Sequence, residues 1–278
     1  MLTKKTIGFL GAGNLAEALI KGLLASKCVG ANQLIASDRV STRLVHLAET
    51  YEIKVYNKNH EVVRNADIIF LTVKPQDAKD ALLEIAPELT GQKLLISAAA
   101  GLTTTAILET LKHGGVNAFI PVVRAMPNTP AIVREGMTGL VAGMGAGKND
   151  LKLAKSVFES VGKVVVVDDE QLLDAVTGLS GSGPAYVFYF MEALVEAGRE
   201  LGLGDEGSRL LAMQTTLGAA LLAIESNKDL AELRRMVTSP GGTTMQGIAK
   251  LEEAGFKDAV IKAVKAATKR AQELSAGK

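Results

Sequence analysis

Up to about Val167 the chain sets short apolar runs between amphipathic stretches, and the runs are continuous rather than alternating: "TIGFL", "QLIAS", "ADIIFLTV", "KLLISAAA", "NAFIPVV" and "KVVVVD". A strand with one wet face alternates apolar and polar residues, whereas a strand buried on both faces does not. These runs predict strands of a mostly parallel sheet with helices on both sides, the helices beginning near Asn14, Ser41, Gln76, Thr103 and Asp150. Such an arrangement is a doubly wound α/β fold. After Asp168 and Asp169 the strand pattern stops, and "EQLLDAVTGLS", "PAYVFYFMEALVEAGREL", "EGSRLLAMQTTLGAALLAIES", "DLAELRRMV" and "KDAVIKAVKAATKRAQEL" read as helices. The expected division is an α/β domain over residues 1–169 followed by an all-helical domain over residues 170–278.

Two helices of the second half, Ala185–Met191 and Leu210–Ile224, are apolar nearly all round, so each needs cover on more than one side. A small helical domain has limited interior for two of them. Either both are central in one compact bundle, or a second copy of the chain supplies the cover; amphipathicity favours an intertwined homodimer. The run Leu210–Ile224 falls short of the roughly 20 residues of a membrane span and contains Gln214, Thr215 and Thr216, so it is expected to be a buried helix and no membrane is expected as partner.

Composition removes other classes. Lys and Arg (31) nearly balance Asp and Glu (30), no polybasic run occurs and aromatics are 4%, which argues against nucleic acid. The lone Cys28 has no internal partner and "MLTKKTIGFLGAG" runs into the first strand without a signal region, which points to the cytoplasm. His46, His60 and His113 all lie in the first half at no metal-ligand spacing, so neither a metal centre nor a Ser-His-Asp device is expected.

The strand "TIGFL" leads into Gly11-x-Gly13-x-x-Ala16 and then a helix. Gly11 permits a tight turn, Gly13 lets backbone approach a pyrophosphate, and Ala16 allows close helix packing, while the free amides at the helix start attract phosphate. Asn14 and Leu15 belong to the same turn. The context predicts a bound dinucleotide, NADPH or NADH. At the end of the second strand, Ser37, Asp38 and Arg39 are the next contacts: Asp38 lies about 20 residues on, where an acid takes a ribose 2′-OH, whereas Arg39 suits a 2′-phosphate. The alternative is a helix-capping Asp38 beside a solvated Arg39. Later strand ends contribute Val73, Lys74 and Pro75, with Lys74 equally able to be a loop lysine, and the small residues Ala99 and Ala100.

Three further stretches, "RAMPNTP" (124–130), "GLSGSGPAY" (178–186) and "VTSPGGTTMQG" (237–247), together with the fingerprint and "VKPQ", resemble the pyrroline-5-carboxylate reductase family over essentially the whole chain. The resemblance implies a Rossmann domain followed by an all-α dimerisation domain, with hydride passing from NAD(P)H to the C=N carbon of Δ1-pyrroline-5-carboxylate to give L-proline. It implies a homodimer through the helical domain, with a decamer of five dimers as a further form in the family. It brings Asn59 to the adenosine part of the cofactor and adds Asn128 of "RAMPNTP" to the cofactor contacts.

The substrate so implied is a small carboxylate-bearing ring. In "SPGGTT", Pro240 fixes a backbone direction, Gly241 and Gly242 adopt angles other residues avoid, and the amides from Gly242 onward open a helix near Thr244, which makes an anion cradle without an arginine. Ser239, Gly242, Thr243 and Thr244 are the candidate substrate contacts; a plain helix cap with a Pro-Gly turn is the structural alternative. By resemblance, Thr244 lies beside the ring nitrogen and is a candidate proton relay, and Glu225 lies near the substrate amine. Ser180, Gly181 and Ser182 are expected to shape the pocket floor. A β-hydroxyacid dehydrogenase would carry a lysine on the first long helix of the second domain, and "GSGPAYVFYFMEAL" has none. A non-catalytic dinucleotide sensor would not need the anion loop.

Overall fold

The computed structural model describes residues 2–276. In chain order the first elements are β1 (Ile7–Leu10), α1 (Asn14–Ala25), β2 (Leu34–Ser37), α2 (Ser41–Tyr51), β3 (Lys54–Tyr56), α3 (Asn59–Asn65), β4 (Ile68–Leu71), α4 (Ala78–Ile85), β5 (Leu94–Ser97) and α5 (Thr104–His113). There follow β6 (Val122–Met126), β7 (Gly136–Ala142), α6 (Lys148–Phe158), β8 (Gly162–Val166), α7 (Leu172–Val176), α8 (Gly183–Glu200), α9 (Asp205–Glu225), α10 (Leu230–Met236), α11 (Thr243–Glu253) and α12 (Phe256–Ser275).

The eight strands form one sheet in the order β3-β2-β1-β4-β5-β6-β7-β8. All neighbours are parallel except β6 and β7, which run antiparallel. Successive side chains of a strand face opposite ways, and β4 shows the result: Ile68 and Phe70 join one core with α1, α2 and α6, while Ile69 and Leu71 join another with α3, α4 and α5. Phe70 is the hinge pin of the first core, stacking on Phe9 at 5.2 Å and meeting Phe158 edge-on at 5.8 Å, pairs worth about 0.5–1.5 kcal/mol each beyond their buried area. The doubly wound, mostly parallel sheet expected from the apolar runs is therefore present.

Details depart from the pattern for identifiable reasons. The run "NAFIPVV" becomes a strand only from Val122, immediately after Pro121, whose ring nitrogen has no hydrogen to offer a ladder; Phe119 before it is exposed. β8 ends the sheet, so its valines are not buried on both faces, and Val165 and Val166 stay exposed. β3 and β7 carry no continuous apolar run and are additions to the expected set.

The chain forms two compact units, Met1–Ser182 with Ala266–Lys278, and Gly183–Lys265. This division differs from the boundary expected at residue 169. The reason is packing: Leu173 and Asp174 of α7 are buried, and a Cβ at Gly139 of β7 would stand 2.8 Å from Val176, so α7 belongs against the sheet. The end of α12 also returns to the first unit, where the Ser275 hydroxyl donates to Asp174 at 3.1 Å and Leu274 covers Gly101.

In the second unit α8 and α9 pack closely where Gly198 faces Ser208, yet only 11% of the apolar window of α9 is buried. The expectation of a short buried helix is corrected on both counts. The helix runs 21 residues, long and apolar enough to cross a membrane by length and composition alone, because it extends past the apolar run to Asp205 and Glu225. Within one protomer its leucines are uncovered: Leu210, Leu211, Leu217, Leu221 and Leu222 are all exposed. Burying such side chains stabilises by roughly 1.5–3 kcal/mol each, a drive a second copy can satisfy. Light scattering at micromolar protein should give at least twice the 29.1 kDa chain mass. Glu at both Leu217 and Leu221, one helical turn apart, should drive the protein to monomer or aggregate; a soluble wild-type monomer would contradict this cover.

Candidate functional site

The turn from β1 into α1 is clasped from every side. Gly11 has φ +97°, and a Cβ there would come within 2.9 Å of the Val73 nitrogen, so both its conformation and its closeness to the end of β4 require glycine. Its N–H donates to the Ser37 carbonyl at 2.9 Å, and its carbonyl accepts from the Thr72 hydroxyl at 2.8 Å. The next peptide is gripped at both ends by side chains: Ala12 N–H donates to Asp38 Oδ2 at 2.7 Å, and Ala12 C=O accepts from Arg43 Nε at 3.0 Å. Gly13 caps α1 with no side-chain acceptor for the first-turn amides, leaving them to an external anion.

A cavity of about 500 Å³ opens over this turn, lined by Gly11, Gly13, Asn14, Asp38, Arg39, Val40, Arg43, Asn59, Thr72, Val73, Lys74, Gln76, Asp77 and Ala81. It sits at the β1/β4 junction, where strand order reverses and the flanking loops diverge, the place where such sheets accept ligands. A glycine cradle that a Cβ would fill, uncapped helix amides and basic side chains fit a dinucleotide phosphate chain.

Eight expected cofactor contacts line this cavity: Gly11, Gly13, Asn14, Asp38, Arg39, Asn59, Val73 and Lys74. The others do not. Ala16 is fully buried on the inner face of α1 and Leu15 packs against the same core. Ser37 is buried, its hydroxyl donating to Asn59 Oδ1 at 2.8 Å, and Asn59 in turn donates through Nδ2 to Glu84 at 2.7 Å, so this pair fixes the wall. Pro75 begins a short 3₁₀ turn, Ala99 is buried and Ala100 exposed at the end of β5. Asn128 spends its amide elsewhere: Nδ2 donates to the Ser180 carbonyl at 3.1 Å and Oδ1 accepts Met137 N–H at 2.8 Å. It thereby pins Thr177–Gly181, a π-helical turn, a form often found at functional sites. Val40, Arg43, Thr72, Gln76, Asp77 and Ala81 are the lining residues the sequence reading missed; Arg43 and Asp77 lie on helical turns, and only the arrival of those turns at one sheet edge singles them out.

Behind Arg43 stands Glu17 of α1. Its carboxylate accepts from Arg43 at 2.6 Å and the Tyr51 hydroxyl at 3.1 Å, and pairs with His46 Nε2 at 2.7 Å. Burial alone would push Glu17 upward, but the hydrogen bonds from His46, Arg43 and Tyr51 prevail and hold it below the ordinary carboxylate range. A second tether joins β6 to the start of α7: buried Arg124 donates to Glu170 at 3.1 Å, and Glu170 also accepts from the Thr104 amide (2.7 Å) and hydroxyl (2.6 Å). Among the described residues no group of three or more His, Cys, Asp or Glu side chains could hold a metal ion.

In the second unit the "SPGGTT" stretch forms a turn closed by Gly242 N–H donating to the Ser239 carbonyl at 3.0 Å, with Gly241 at φ +72°. Gly242 caps α11 without a side-chain acceptor, and Ser239 Oγ lies 2.5 Å from where a Gly242 Cβ would be, so the hydroxyl folds over the turn. Thr243 and Thr244 are the first two helical residues, both exposed. Glu225 is exposed at the C-terminal end of α9.

Residues 170–274 match the family model described as pyrroline-5-carboxylate reductase dimerisation, and residues 6–101 match that described as NADP oxidoreductase, coenzyme F420-dependent. A pyrroline-5-carboxylate reductase of Pseudomonas aeruginosa is 42% identical over 269 residues, 97% of this chain and 96% of the relative. The solved structure of a pyrroline-5-carboxylate reductase from Coxiella burnetii matches with a TM-score of 0.91 at 40% identity, covering 98% of both chains. That of a Plasmodium falciparum pyrroline carboxylate reductase with NADP bound matches with 0.85 at 31% identity, again over 98% of both.

The lowered Glu17 titration has a definite sign. A carboxyl held down in the folded state contributes stability that is complete above its unfolded value of 4.5 and is lost as pH falls through the lower folded value. Glu17→Gln should cost about 1–3 kcal/mol near neutrality. Urea midpoints across pH should show the gap between variant and wild type closing below about pH 4.5; a constant gap would contradict the assignment.

Proposed function

The chain belongs to the pyrroline-5-carboxylate reductase family, and from that premise we infer how its residues divide the work. It is an NAD(P)H-dependent oxidoreductase that reduces the C=N bond of Δ1-pyrroline-5-carboxylate to L-proline, the last step of proline biosynthesis, and it forms a homo-oligomer. When bound, the reduced nicotinamide supplies a hydride to the C=N carbon.

In our reading the Gly11–Ala16 turn and the walls at Asp38, Arg39, Asn59, Val73 and Lys74 hold the cofactor in the first unit. Dimerisation and substrate binding belong in this reading to the helical half, residues 170–278, of which α7 and the end of α12 are counted with the first compact unit. The observation supporting the second role is the N-terminus of α11: Gly242 leaves the first-turn amides uncapped by any side chain, and the helix dipole there favours a carboxylate. Ser239 and Thr243 add hydroxyl donors. Thr244 hydrogen-bonds the ring nitrogen and relays the proton that makes it an iminium, Asn128 acts by holding the π turn that carries Ser180, and Glu225 offers a countercharge to the substrate amine. A carboxylate at a helix C-terminus opposes the helix dipole, so Glu225 stands where a nearby cation would relieve it. The site is cytoplasmic in this reading. The assembly is a dimer through the helical part, with a decamer of five dimers as its larger form.

NADPH or NADH consumption that depends on added pyrroline-5-carboxylate tests the reading, and binding without turnover would instead favour a dinucleotide sensor. Thr244→Ala should lower kcat/KM on the order of ten- to a thousandfold, with Thr244→Ser retaining most activity. Unchanged kinetics in the folded alanine variant would remove Thr244 from the chemistry.

A further inference from the structure

Glu17 stands where an acid is least expected. It belongs to the first turn of α1, so its charge draws on the same helix dipole that favours an anion over the glycine turn, and opposes that anion directly. Glu17 itself is outside the lining of the cavity. Its surroundings disarm it: Arg43 Nη2 donates to Oε2 at 2.6 Å, the Tyr51 hydroxyl donates to Oε1 at 3.1 Å, and His46 Nε2 lies 2.7 Å from Oε1. Three side chains of α2 thus converge on one carboxylate of α1. Burial pushes the Glu17 carboxyl up, but the hydrogen bonds from His46, Arg43 and Tyr51 outweigh it, so the acid stays ionised through the neutral range.

The use of this charge lies at the other edge of Arg43. Arg43 Nε donates to the carbonyl of Ala12, a fully buried residue between the two glycines of the turn, at 3.0 Å. The guanidinium is planar, so an anchor at Nη2 fixes where Nε points. In a trans peptide the C=O and N–H point opposite ways, and every described peptide here is trans. By taking the Ala12 carbonyl, Arg43 therefore sets the direction of the Gly13 N–H, and Gly13 lines the cavity. The line of control runs from Glu17 through Arg43 to the amide at the start of α1.

We propose that Glu17 is a positioning residue for the dinucleotide: through Arg43 it locks the Ala12–Gly13 peptide in the orientation that serves the cofactor's pyrophosphate, for NADPH and NADH alike. The proposal rests on the reading of the cavity as the NAD(P)H site. A plain clamp between α1 and α2 would act on stability alone, whereas a positioning residue acts on cofactor affinity in the folded protein.

Calorimetric titration of the whole protein with NADPH and with NADH tests this, at a temperature where circular dichroism shows each variant folded. Glu17→Gln should weaken both cofactors by the same factor, about threefold to thirtyfold. In steady state it should raise the KM of either cofactor and leave kcat near wild type at saturating cofactor. Glu17→Asp keeps the charge but is one methylene short of Arg43, so it should show the same equal weakening, and it stands in if Glu17→Gln does not fold. The decisive comparison is made in an Arg43→Ala background. There the acid keeps its charge and has lost its task, so adding Glu17→Gln should leave both affinities unchanged or tighten them. Wild-type affinity in both single Glu17 variants, a weakening that persists without Arg43, or a fall in kcat with cofactor KM unmoved would overturn the proposal. Those results leave the cavity as the cofactor site, whereas a wild-type protein that binds neither dinucleotide defeats that reading and this inference with it.

Discussion

Parallel strand pairing dictates the architecture of the first unit. Parallel neighbours cannot be joined by a tight hairpin, so each connection must cross the sheet, and the crossing helices bury both faces. That burial explains the unbroken apolar runs. It also gathers the carboxyl ends of β1, β2 and β4 at one edge, where backbone leaves the ladder with amides and carbonyls to satisfy. The cavity lies at that edge because β1 sends its chain one way to β2 and receives β4 on the other side, so the two loops part.

Legibility in the sequence has the same physical origin. The central strands announce themselves because both faces are dry, and the β1–α1 turn because only glycine fits Gly11. β3 has three residues at the sheet edge, and β7 mixes Gly136, Thr138 and Gly139 where α7 lies close, so neither produces an apolar run. The antiparallel turn of β7 leaves no local mark. At the site, motif positions were visible, but Arg43 and Asp77 enter through geometry that unites separate segments. Conversely Ser37 and Asn128 sit within readable motifs yet act by hydrogen-bonding neighbouring structure. A motif tells which segments converge; it does not tell which side chains are spent in holding them together.

The second unit obeys a different constraint. Its longest helix is apolar on faces that its own chain does not cover, and a dimerisation family model spans it. Its stability is then linked to protein concentration, because cover from another copy enters the folding equilibrium by mass action. Low hydrophobic periodicity in α9, which in isolation reads as a central or membrane helix, is what a helix shared by two chains requires.

The absence of a histidine in this helical half accords with the proposed chemistry. Reduction of a protonated imine removes positive charge from the ring nitrogen as the hydride arrives, so no strong base is needed at that atom. A helix N-terminus near such a nitrogen does two things at once. Its amides and dipole hold the carboxylate in both ground and transition state, which aids binding but not the barrier. The same positive end disfavours the iminium cation more than the transition state in which that charge is vanishing, which lowers the barrier. In the proposed site Thr244, second residue of α11, stands in the first turn where the helix dipole is strongest, and a hydroxyl there can accompany the nitrogen from cation to amine without carrying a charge of its own.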